Sequence, residues 1–87
     1  PMKFMLVDDS STMRKVQRRT LERLGFGDIV EAEDGQQALS MIPLTNPDVI
    51  ITDWNMPNVN GLEFVKTVRQ TDKKTPILMC TTEAEKS

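Results

Sequence analysis

The stretch DVIITDWNMPNVNGLEFVKTVR, residues 48–69, changes its periodicity halfway through. Its first part, DVIIT (48–52), is apolar without alternation, as expected of a strand covered on both faces of a parallel sheet. From Gly61 onward the spacing of Leu62, Phe64, Val65 and Val68 predicts a helix over 61–70 with those residues turned inward. Between the two lie Asp53, Trp54 and a turn-rich run of Asn, Pro and Gly. Asp53 therefore stands where an apolar strand leaves the core. An unpartnered buried carboxylate is costly, so water or a cation must meet it there.

The same unit recurs on either side. KFMLV (3–7) and PILMC (76–80) are continuous apolar runs, read as two more inner strands. DIVEAE (28–33) differs: Ile29 and Val30 give way to Glu31 and Glu33, which suits an edge strand. A helix is predicted over 11–24, with Met13, Val16, Leu21 and Leu24 near one stripe, Ser10 or Ser11 as its cap and Gly25 past its end. A shorter helix covers 35–41 and is expected to stop before Pro43. The order β-α-β-α-β-α-β predicts one α/β domain, a doubly wound parallel sheet with right-handed crossovers.

Composition narrows the function. A chain of 87 residues holds one domain with a modest core. With 11 basic and 13 acidic residues the net charge is −2, which gives no reason to expect nucleic acid or an anionic membrane as partner. No apolar stretch is long enough to span a bilayer or to form a signal peptide. The single cysteine, Cys80, allows no internal disulfide, suits a reducing, cytoplasmic setting, and is read as a small buried hydrophobe. The absence of histidine removes imidazole acid–base chemistry, imidazole metal ligation and a phosphohistidine donor role. Gly25, Gly27, Gly35 and Gly61 are scattered, so there is no phosphate-cradling glycine loop.

What remains is a set of carboxylates at strand ends. FMLVDDSS puts Asp8 and Asp9 after the first strand, and VIITDWN puts Asp53 after the third. Ligands of open α/β sheets bind outside the carboxyl ends of the strands, where the strand order reverses. If the first and third strands are neighbours, the acidic groups converge and repel one another unless a cation or a proton intervenes. Magnesium suits such a site, because it takes oxygen ligands, uses one or two carboxylates and keeps several waters. Singly, each aspartate reads as a cap or a turn residue. Thr81 and Thr82 end the fourth strand; they read as a helix cap or, from their place on the same rim, as phosphate-contacting hydroxyls.

LVDDSSTMRK, ITDWNMPNVNGLEFVKTVR and TPILMCTTEAEKS together resemble the receiver domain of two-component response regulators, most nearly the single-domain chemotaxis regulators of the CheY type. The resemblance implies a flavodoxin-like (CheY-like) sheet of order 2-1-3-4-5. It implies Asp53 as the acceptor of a phosphoryl group from a CheA-like sensor histidine kinase. Mg²⁺ would be held by Asp9 and Asp53, by the backbone carbonyl of Asn55, and by Asp8 mainly through water. Thr81, with Thr82 and Asn55, would contact the phosphoryl group, and Met56-Pro57 and Gly61 would shape the loop. The expected output is binding to a flagellar switch protein or another effector, with autophosphorylation and autodephosphorylation as the only activity.

The resemblance also implies what is missing. Relatives of this kind carry a further helix segment, a fifth strand and a fifth helix, with a Lys-Pro pair that Lys73, Lys74 and Lys86 do not match. The domain over 1–87 is therefore expected to be incomplete at its C-terminal side. PILMC becomes an open edge beside a bare apolar face, and a homo-oligomer or domain-swapped dimer is expected. Two alternatives stay open. One is a self-associating fragment without signalling. The other is a Mg²⁺-dependent phosphatase with an aspartate nucleophile, in which Asn55 stands where a second acid is needed. Arg14, Lys15, Arg18, Arg19 and Arg23 read as a solvated helix face or as a surface near a kinase docking site. Trp54 reads as a packed loop aromatic and the methionines as core filler.

Overall fold

A computed structural model describes residues 1–56 and 58–80. Its elements are β1 (Lys3–Val7), α1 (Ser11–Arg23), β2 (Asp28–Ala32), α2 (Gly35–Thr45), β3 (Val49–Asp53), α3 (Gly61–Arg69) and β4 (Ile77–Cys80). The strands form one parallel sheet in the order β2-β1-β3-β4. The chain steps from β1 to β2 on one side and then crosses to β3 on the other. The order thus reverses between β1 and β3, and the register Val7↔Thr52 brings the next residues, Asp8 and Asp53, side by side.

Local chemistry fixes each helix. Ser10 caps α1, its hydroxyl oxygen accepting from the Met13 amide at 3.1 Å. Gly25 ends it with φ of 98°, and the amides of Gly25 and Phe26 return to the carbonyls of Glu22 and Leu21. That turn seats the Phe26 ring 5.0 Å from that of Phe4. Asp34 and Asn60 cap α2 and α3 by accepting from the amides of Gln37 and Glu63. In α3, Glu63 lies in the first turn and Lys66 and Arg69 in the last, each sign matched to the helix dipole.

The sheet has a core on each face. Between the sheet and helices α2 and α3, Met5, Val7, Ala32, Ile50 and Met56 pack with Ala38 of α2 and Phe64 and Val68 of α3. On the other face, Leu21 of α1 packs with Phe4, Leu6 and Ile29, with Phe26, Val49 and Ile51 partly buried. No helix among the described residues is long and apolar enough to cross a membrane.

Four expectations are corrected. α2 does not stop at 41 but runs through Pro43 to Thr45. Pro43 sits in the last turn, where its ring is exposed and only one amide donor is forfeited. The helix closes instead at Asn46, in the left-handed region with φ of 49°, whose amide donates to the Ile42 carbonyl at 2.8 Å. On α1, Val16 and Leu24 are 53% and 68% exposed, and Leu21 is the buried apolar residue. Arg14 and Arg18 bond Glu31 on β2, which turns their side of the helix toward the sheet. On α3, Phe64 and Val68, one turn apart, carry the buried face, while Leu62 is exposed and Val65 half-buried. Cys80 is exposed, not buried, because β4 is the outer strand among the described residues.

Candidate functional site

The acidic side chains converge as the strand order requires. Asp8, Asp9 and Asp53 each offer a carboxylate oxygen, all within 4.8 Å of one another. Asp8 and Asp53 are buried and Asp9 is exposed at the mouth. Backbone geometry sets each one. The Asp8 amide donates to the Ala32 carbonyl at 3.1 Å, and its Oδ1 accepts from the Ser10 amide at 2.8 Å. Asp53 Oδ1 accepts from the Trp54 amide at 2.8 Å, and that amide also reaches the Cys80 carbonyl at 3.1 Å.

The loop after Asp53 is folded back on itself. The Gly61 amide donates to the Trp54 carbonyl at 2.8 Å. A Cβ on Gly61 would stand 2.9 Å from the Asp53 carbonyl oxygen and 2.9 Å from Trp54 Cα, so only glycine permits this closure. Beneath the loop, the buried Thr52 hydroxyl donates to the Asp53 carbonyl at 3.1 Å, with Met56 Sδ 3.9 Å away. Met56 is buried as an anchor, while Trp54 and Asn55 face solvent. The expectation of a packed Trp54 is not met, because the loop turns outward as soon as β3 ends.

The electrostatics would suit a cation. Burial pushes the Asp8 carboxyl above its ordinary value, the Ser10 amide opposes this, and the charges of Asp53 and Asp9 push it further up. Such a set repels itself and is eased by a divalent ion. All three donors are hard carboxylate oxygens, which fit Mg²⁺ or a similar ion rather than a soft metal.

Of the residues singled out in the sequence, Asp8, Asp9 and Asp53 meet, and Asn55 follows Asp53 in the exposed loop. Thr81, Thr82, Pro57 and Lys86 lie outside the described residues. A feature not anticipated is the pairing of Arg14 with Glu31 at 2.8 Å and with the Asp8 carbonyl. Alternation in DIVEAE held a clue. Glu31 pairs with Leu6 across the sheet, so its side chain shares the face on which α1 lies.

The family model of the response regulator receiver domain matches residues 4–87. The chain is 51% identical over 90 residues to chemotaxis protein CheY1 of Helicobacter pylori, a match covering 99% of this chain and 72% of that protein. It is 52% identical to a chemotaxis protein CheY homolog of Campylobacter jejuni, covering 99% of this chain and 68% of that one. Among solved structures, chemotaxis response regulator CheY4 of Vibrio cholerae superposes with a TM-score of 0.84 at 41% identity, over 98% of this chain and 74% of that chain.

Proposed function

The chain belongs to the response regulator receiver domain family, with chemotaxis proteins of the CheY type among its relatives, and we propose that Asp53 is its phosphoryl acceptor. The observation that carries this reading is the meeting of Asp8, Asp9 and Asp53 within 4.8 Å where the strand order reverses. A carboxylate oxygen of Asp53 attacks phosphorus. The bond from phosphorus to the phosphohistidine nitrogen of a CheA-like kinase breaks, and its electron pair stays on the imidazole, which takes up a proton. The product is an acyl phosphate on Asp53.

Asp9, Asp53 and the backbone carbonyl of Asn55 would hold Mg²⁺, with Asp8 acting through water. When bound, the ion supplies neutralisation of charge on the transferring group. The chain's own residues do the positioning: Trp54 and Ser10 amides orient the carboxylates, and Gly61 holds the loop that carries Asn55. Thr81 and Thr82 are the proposed phosphoryl-contacting hydroxyls. The added charge at the sheet rim changes binding to a downstream flagellar switch protein or another effector in the cytoplasm. Turnover of a separate substrate is disfavoured, since Asn55 cannot transfer protons at the position a phosphatase of this kind gives to an acid.

Incubation with Mg²⁺ and acetyl phosphate should add one phosphoryl group to the intact mass. Asp53→Asn should abolish the addition; a variant that still gains it would place the acceptor elsewhere.

A second reading concerns self-association. Among the described residues β4 is the outer strand and its Leu78 and Met79 are exposed, and we propose that two copies pair along this edge, as a homo-oligomer or by exchange of an element. Light scattering on a sizing column that gives the monomer mass at high concentration would end it.

A further inference from the structure

The basic residues of α1 are not equivalent. Lys15, Arg19 and Arg23 are exposed. Arg14 instead has its side chain 15% exposed, with Nε donating to Glu31 Oε1 at 2.8 Å and Nη1 donating to the backbone carbonyl of Asp8. Glu31 is held from its other side, its Oε2 accepting from Arg18 Nε at 2.7 Å, while Arg18 also reaches the Ile29 carbonyl. One carboxylate on β2 thus aims two guanidinium groups, and one of them ends at the acidic site.

From this geometry we infer that Arg14, aimed by Glu31, is a positioning residue that sets Asp9 for metal binding. The inference deepens the receiver reading and rests on it. Asp9 lies between two peptide groups. The one before it contains the Asp8 carbonyl, held by Arg14; the one after it contains the Ser10 amide, held by Asp8 Oδ1 at 2.8 Å. A peptide group is planar, so one hydrogen bond to each plane constrains both backbone dihedrals of the residue between them. Asp9 is exposed, and its carboxylate still stands within 4.8 Å of those of Asp8 and Asp53. Fixing the two planes keeps it there before an ion arrives.

Arginine is required because its flat fork serves Glu31 and the Asp8 carbonyl from fixed directions, whereas a lysine ammonium is a point charge on a flexible stem. Glu31 stays ionised in this role, because Arg18 and Arg14 lower its carboxyl below the ordinary range and outweigh the upward push of burial.

Charge and positioning make opposite forecasts. As a plain cation near the site, Arg14 repels Mg²⁺, and its removal would tighten binding. As a positioning residue its removal weakens binding, by about tenfold on the scale of groups that orient metal ligands. The test is a Mg²⁺ titration followed by Trp54 emission, on wild type, Arg14→Lys, Arg14→Ala and Arg19→Lys. Arg14→Lys keeps the charge and should bind about tenfold more weakly. Arg14→Ala should also bind more weakly, and Arg19→Lys should match wild type. At saturating Mg²⁺, Arg14→Lys should accept phosphoryl from acetyl phosphate at the wild-type rate, so that half-saturation moves and the plateau does not. Without metal, amide exchange at Ser10 should speed up in Arg14→Lys. Wild-type affinity in Arg14→Lys, tighter binding in Arg14→Ala, or a plateau that falls with the affinity would each overturn the assignment. A wild type that binds no Mg²⁺ would remove the receiver reading itself. If Arg14→Ala fails to fold, Arg14→Lys decides.

Discussion

The two faces of the sheet carry similar side chains and meet different fates. Ile50 and Ile51 are neighbours in β3; Ile50 is fully buried under α2 and α3, while Ile51 on the opposite face is half-buried. Along one row on the α1 face, from Leu6 through Ile51 to Leu78, exposure climbs from 0% to 53%. Helix coverage, and not composition, decides burial. The face under α2 and α3 is held by apolar packing. The α1 face is held partly by ions, with Arg14 and Arg18 joined to Glu31 at the β2 edge.

The largest expected effect lies on the sealed face. Phe64→Ala should cost about 3–5 kcal/mol in urea unfolding, the usual loss for a fully buried aromatic. A loss no greater than that of a Leu78 substitution would break the contrast.

Next comes the seam where α3 meets β3. Gly61→Ala forces backbone apart at the Asp53 carbonyl and Trp54 Cα, and overpacking of this kind costs about 1–3 kcal/mol. The same variant should weaken Mg²⁺ binding, since the displaced atoms belong to the loop that leaves the Asp8, Asp9 and Asp53 cluster. Unchanged stability and affinity would show that the closure is loose.

The ionic attachment of α1 sharpens the contrast through pH. Burial pushes the Glu31 carboxyl up, but Arg18 and Arg14 outweigh it and leave it below its ordinary value of 4.5. A lowered carboxylate contributes stability that is present above the ordinary value and lost as pH falls through the lowered one. Amide protection in α1 should therefore fall below that value, and fall with salt, while protection in α3 holds. Glu31→Gln should flatten the acid limb, at a cost of about 1 kcal/mol or less near neutral pH. An α3 that loosens in step with α1 would refute the division.

The smallest effect is expected at the open side. Leu78→Lys should change stability by no more than about 0.5 kcal/mol, because Leu78 is already half in solvent. It should nonetheless lower any self-association, read by light scattering.

The inner strands were legible because β1 and β3 are short apolar runs bounded by acids and turn residues. The meeting of Asp8, Asp9 and Asp53 needed one more fact, that β1 and β3 are neighbours; residue patterns left this open, the family resemblance implied it, and the structure places the three carboxylates together. Errors arose where tertiary context overrode local rules. Pro43 reads as a stop, yet a last-turn proline forfeits a single donor and Asn46 provides the true end. Val16 and Leu24 read as an inner stripe, yet the Arg14 and Arg18 pairs with Glu31 set the rotation of α1, and a hydropathy pattern treats those residues only as polar. Cys80 reads as core, yet its burial depends on a neighbouring strand, which local sequence does not reveal.

The Trp54 amide proton is divided between two acceptors, the Asp53 carboxylate and the Cys80 carbonyl. Drawing electron density from that carboxylate, as conversion to an acyl phosphate would, shifts the proton's allegiance toward Cys80. A group placed on Asp53 would therefore be felt at the tip of β4 through one shared proton.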